Sequence, residues 1–121
     1  MKTTITMETG VDLLEEIEQV VLSRSQQSQP ERILFLSVVL QALLDATKPE
    51  TLTEPEDEKQ ARRSAQAWFA ASVGVTAVDF DEVCDLAGVS SLRLRTFAYK
   101  ILQSKEIPFV RKRINTVLSF K

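Results

Sequence analysis

Between Ile33 and Leu44 the chain has twelve consecutive positions of which only Ser37 and Gln41 are polar, and this run limits the architecture more than any other feature. Set on a helix from Pro30 to Ala46, with Pro30 suited to the first turn, it is apolar on nearly every side: Ile33, Leu34, Phe35, Leu36, Val38, Val39, Leu40, Leu43 and Leu44. Such a helix is either the buried centre of a domain or an oligomer contact. It is well short of the roughly 20 apolar residues that cross a bilayer, so no membrane partner is expected. The first residues, Met1 to Thr6, are polar rather than a signal-peptide core, and a reducing cytoplasm is the expected compartment.

What can surround such a helix follows from turn residues. With three Gly and four Pro in 121 residues, the chain lacks the turns that a sandwich or barrel needs, and an all-α single domain of five to six helices is predicted. Residues Met1 to Gly10 carry no periodicity and read as a loose tail. Val11, Leu14, Ile17 and Val21 recur at helical spacing with Asp12, Glu15, Glu16 and Glu18 between them, which predicts an acidic amphipathic helix over 11–22. Ser23 to Gln29 reads as a polar linker, so that 1–29 form a tail, a helix and a linker ahead of a helical domain over 30–121. Thr47 to Pro55 is a loop. Thr53 and Glu56 have capping-box spacing around Pro55, and predict a third helix to about Ser72, with Ala61, Ala65, Trp68 and Ser72 on its buried stripe and Arg62 mostly outside it. Trp68 and Phe69 read as core anchors. Gly74 breaks the run, and Asp79 with Glu82 predicts an N-cap for a fourth helix over 80–87.

Gly88 then stops that helix, Ser90 or Ser91 can cap a fifth reaching about Gln103, and Pro108 separates a last helix over 109–120 with Phe109, Val110, Ile114, Val117 and Leu118 on one face. Two short helices joined by a three- to four-residue turn with Gly follow the helix-turn-helix plan, here over 80–103.

The charge is divided along the chain. Up to Val89 there are 7 Lys/Arg against 16 Asp/Glu, and from Ser90 onward 8 Lys/Arg against Glu106 alone, a pattern of a polyanion-binding end and an acidic, solvated or partner-binding end. The absence of His and the single cysteine, Cys84, remove His-based triads, most zinc sites and internal disulfides. No cofactor, metal or catalytic residue is expected. Asp79 and Asp81 have cap positions, and no glycine-rich phosphate loop accompanies them.

Val83-Cys84-Asp85-Leu86-Ala87-Gly88-Val89-Ser90, with Leu94 and Phe97, resembles the helix-turn-helix of bacterial repressors, in particular the lactose-repressor family with its V-A-x-x-A-G-V-S run. The resemblance covers 80–97. It implies that Val83, Ala87, Val89, Leu94 and Phe97 wedge two helices together, with Cys84 in the small-residue place where they cross. Ser91, Leu92, Arg95, Thr96 and Tyr99 are then left outward on a recognition helix, as candidate base contacts in the major groove of double-stranded DNA. Leu92 stands where the family usually carries a polar residue, and can equally pack on a neighbouring subunit or on the C-terminal segment. Arg93, Lys100 and Lys105, with Arg111, Lys112 and Arg113, are the candidate phosphate contacts; six neutralised phosphates give log K a slope of about −5 against log salt.

A looser resemblance, carried by Ala61-Arg62-Arg63, Ala67-Trp68-Phe69, Phe80, Val83-Cys84 and Ala87-Gly88, is to small helix-turn-helix proteins of tailed phages and gene transfer agents. It implies either an activator working with a sigma-like factor or RNA polymerase, or a small terminase subunit acting on packaging DNA as a homo-oligomeric ring. A protein-interaction module, in which the acidic helix binds a basic partner, is the third reading.

Overall fold

The apolar segment forms α2 (Pro30–Ala46), and its burial makes it the centre around which the other helices pack. The computed structural model describes residues 4–22 and 30–119, and the regular elements among them are all helices. They are α1 (Thr4–Leu22), α2, α3 (Glu56–Ala70), α4 (Gly74–Ala87), α5 (Ser91–Leu102) and α6 (Ile107–Leu118). The expected linker 23–29 lies outside the described residues. Leu36, Val39 and Leu40 are fully enclosed, and α2 touches α1, α3, α4 and α6. Each such side chain contributes about 1.5–3 kcal/mol relative to an exposed one. One side of α2 stays open, with Leu34 59% and Val38 41% exposed.

Helix α6 begins at Ile107 with Pro108 inside its first turn rather than ahead of it, and leaves Phe109, expected on the apolar face, 54% exposed. Three further expectations at the helix starts are corrected. First, α1 begins at Thr4 rather than Val11, so Gly10 lies inside a helix and closes no tail. Leu13, Leu14 and Ile17 are buried to 2% exposure or less in the same core cluster as α2. Once that docking fixes a helical nucleus, adding turns upstream is cheap even through threonines.

Second, the Thr53–Glu56 capping box does not form. The N-cap of α3 is Pro55, which has no side-chain cap. Glu54 instead turns inward and accepts two hydrogen bonds from Arg62, at 2.5 and 3.0 Å. Arg62 is therefore buried, not outside the stripe, and α3 buries Arg62, Ala65 and Phe69. Of the expected stripe Ala65 is buried and Trp68 half-buried, while its two ends, Ala61 and Ser72, are exposed.

Hydrogen bonding from Arg62 holds the Glu54 carboxyl below its ordinary value of 4.5, against the opposing effect of burial. A carboxyl lowered in the folded chain stabilises it fully above the unfolded value and ceases to do so as pH falls through the folded one. Urea midpoints measured downward from neutral pH should therefore fall through and below the region of 4.5, and the fall should be shallower in Glu54→Gln. Parallel profiles for the two proteins would contradict the pairing.

Third, α4 starts at Gly74 (φ 87°) instead of Phe80. Its buried residues Ala77, Phe80, Cys84 and Ala87 continue the same helical stripe one turn upstream. Asp79 is thus no cap; it accepts a hydrogen bond from the Trp68 indole N–H at 2.7 Å. Trp68, Phe69 and Phe80 meet edge to face, with ring centroids 4.9–5.9 Å apart, the arrangement that suits their quadrupoles. The core-anchor expectation holds for Phe69, which is buried, while Trp68 is half-buried.

Candidate nucleic-acid interface

The turn between α4 and α5 is built by its own sequence. Gly88 takes the left-handed conformation, φ 74°, which costs a residue with a Cβ free energy. The Gly88 N–H donates to the Asp85 carbonyl at 3.1 Å and the Val89 N–H to the Cys84 carbonyl at 3.0 Å, the Schellman closure of a helix. From α2, Arg32 donates to the Ala87 carbonyl at 3.0 Å, tying the turn to the core. Ser90 Oγ then accepts from the Arg93 N–H at 3.2 Å and caps α5. Three residues, 88–90, thus join two helices, as the spacing predicts. Cys84 is fully enclosed beside this turn; burial, then the charge of Asp81, push its thiol up to about 11, so it is a packing residue and not a thiolate.

On α5 the residues Leu94, Phe97, Ala98 and Ile101 are buried. At 100° per residue the opposite side carries Leu92, Thr96, Tyr99 and the C-cap residue Gln103. Leu92 is 69% and Tyr99 64% exposed, Gln103 is exposed and Thr96 half-buried. The exposed Lys100 flanks this stripe, whereas Ser91, half-buried, lies at the edge of the buried face next to the direction of Ala98 and is withdrawn as an outward contact. Gln103 was not among the expected contacts, although it stands four residues after Tyr99, the spacing that places it on the same face. Its amide has both a donor and an acceptor for the edge of an adenine.

Arg95 does not point outward as the recognition-helix pattern implies. Its guanidinium donates to the carbonyls of Phe69 at 3.1 Å and Ala71 at 2.8 Å, and lies 4.7 Å from the centre of the Phe80 ring. The end of α3 leaves carbonyls without helical donors, and this fork satisfies two carbonyls there. Arg95 is a tie between α3 and α5, and its place as a base contact is withdrawn.

The six expected phosphate contacts divide equally. Lys100, Lys105 and Lys112 are exposed and pair with no acid among the described residues. Arg93 donates to Glu16 at 3.0 Å. Arg113 donates twice to Glu18, at 2.6 and 3.0 Å. Arg111 donates to the Leu44 carbonyl at 2.5 Å and the Thr47 hydroxyl at 3.0 Å, closing the end of α2. Those three arginines already have partners inside the molecule.

The acidic helix α1 therefore packs on the chain's own basic segment, touching both α5 and α6. Part of the charge division is resolved within the fold. Leu92, Tyr99 and Gln103 stay exposed and Thr96 half-buried, whereas Arg93 on the same helix is taken up by Glu16 of α1.

Among the described residues no group of His, Cys, Asp and Glu could hold a metal ion, and no helix is long and apolar enough to cross a membrane. No protein-family model matches this chain, and neither does any curated protein or solved structure.

Proposed function

We propose that the chain binds double-stranded DNA in the cytoplasm and regulates transcription, with α5 in the major groove and Leu92, Thr96, Tyr99 and Gln103 against the base edges. What supports this reading is the stripe itself: a polar and apolar face that has no partner among the described residues, on a helix entered through a three-residue glycine turn and flanked by the exposed Lys100. Thr96, Tyr99 and Gln103 supply hydrogen-bonding groups, Leu92 supplies a surface for a thymine methyl, and lysines supply phosphate charge. A phage-type activator working with a sigma-like factor, and a packaging-DNA role in a ring, are the two finer forms of the proposal. They separate by mass: the first needs a monomer or dimer, the second a ring of many copies.

A protein-binding role for the same stripe is the second reading, favoured by the two large side chains, Leu92 and Tyr99, at its exposed centre. Salt dependence decides between them. With three free lysines in place of six cations, log K for a duplex should fall with log salt at a slope of about −3, and Lys112→Ala should reduce the slope by about one on specific and scrambled duplexes alike. No binding to any duplex at low salt would overturn DNA binding and favour the protein-binding role.

A further inference from the structure

The open side of α2 does not face solvent alone. Val38 and Ala42 of α2, Ala61, Ala65 and Trp68 of α3, and Val83 of α4 line a groove of about 640 Å³ whose polar lining residues are Gln41, Asp45, Ser64 and Asp79. The groove shares no residue with the α5 stripe, and none of Lys100, Lys105 and Lys112 lines it.

Its chemistry is specific in three respects. Ala42, Ala61, Ser64 and Ala65 are small, so an incoming backbone can approach closely. Leu34, next on the same side of α2, and Leu86, one turn beyond Val83 on α4, are 59% and 45% exposed and prolong the apolar floor at helical spacing. The two charged lining residues are both aspartates, Asp45 and Asp79, and no Lys or Arg lines the groove. An apolar floor with small residues and an acidic border fits a helix that is apolar on one face and basic at its edges.

We infer that this α2–α3–α4 groove is a docking site for a basic amphipathic helix of a partner protein, seated on Val38, Ala42, Ala61 and Trp68 with its cations toward Asp45 and Asp79. The inference stands apart from DNA binding, since neither uses the residues of the other.

Trp68 is the only tryptophan, so its emission reports directly on the groove. The probe is a synthetic five-turn peptide of about 18 residues, with Leu on one helical face and Lys elsewhere; its counterpart has Glu for Lys. The full chain should give a saturable Trp68 emission change with the Lys peptide and at least about tenfold weaker binding with the Glu peptide. Ala61→Arg, at an exposed position that the fold tolerates, should weaken the Lys peptide by about tenfold or more, with unchanged circular dichroism. Asp45→Lys should do the same without filling the floor.

Equal binding of the two peptides, or variants that bind as tightly as the parent, would overturn the assignment. So would a mass that rises with concentration in the parent and not in Ala61→Arg, which would give the groove to a second copy of the chain. Duplex binding measured on the same variants should not change, so a failure here is distinguishable from a failure of the DNA reading.

Discussion

Phe80→Ala is expected to destabilise the protein by about 3–5 kcal/mol, the range for removing a buried aromatic ring from a packed core. Phe80 is fully enclosed, and three groups depend on its ring at once: Trp68 and Phe69 by edge contacts and the Arg95 guanidinium over its face. The truncation therefore leaves a cavity and also loosens the junction of α3, α4 and α5. Since domains of this kind are stable by only about 5–15 kcal/mol, the variant should be close to unfolding at growth temperature. Urea titration followed by Trp68 emission and by circular dichroism measures the loss; a loss under about 1 kcal/mol would contradict the central place given to this ring.

Arg95→Ala carries the second large effect, and it separates two roles for one residue. Hydrogen bonds from a charged donor are worth about 1.5–3 kcal/mol, and Arg95 makes two of them to carbonyls at the end of α3. Because the side chain is only partly buried, a net loss of about 2 kcal/mol is expected. Lys should not rescue it, since a single ammonium cannot reproduce the planar fork that spans both carbonyls. Duplex binding by the folded fraction should keep both its affinity and its sequence preference, since Arg95 is engaged on α3 and not on the stripe. Unchanged stability, with preference lost at one base pair, would return Arg95 to the DNA-facing side.

The residues that were legible in the sequence are those whose local chemistry has a single solution. The bounds of α2 follow from Pro30 and the apolar run, and Gly88 and Ser90 mark the turn because a left-handed residue and a capping hydroxyl are needed there. Leu92, Thr96 and Tyr99 are among the residues that the repressor resemblance leaves outward, and helical spacing puts these three on one side. What periodicity cannot convey is which partner a charged side chain selects. Glu54 has the neighbours of a capping sequence, yet Arg62, about two turns into α3, reaches back and takes it. Arg95 has the register of a base-reading residue, yet free carbonyls lie within reach of its fork. Arg93 and Arg113 look like solvent-facing cations until α1 returns across 77 and 95 residues of chain to meet them. The start of α4 is a related case: Val75 and Val78 are exposed, which hides the stripe of Ala77 and Phe80 that continues into Cys84.

Selection of duplexes from a random pool, carried out with the parent chain and with a Thr96→Ala, Tyr99→Ala double variant, tests the role of the α5 stripe most directly. The parent should enrich one short sequence motif, and the double variant, which keeps Lys100, Lys105 and Lys112, should still bind DNA but enrich none. A parent that enriches nothing, or a double variant that enriches the same motif equally well, would contradict base reading by α5.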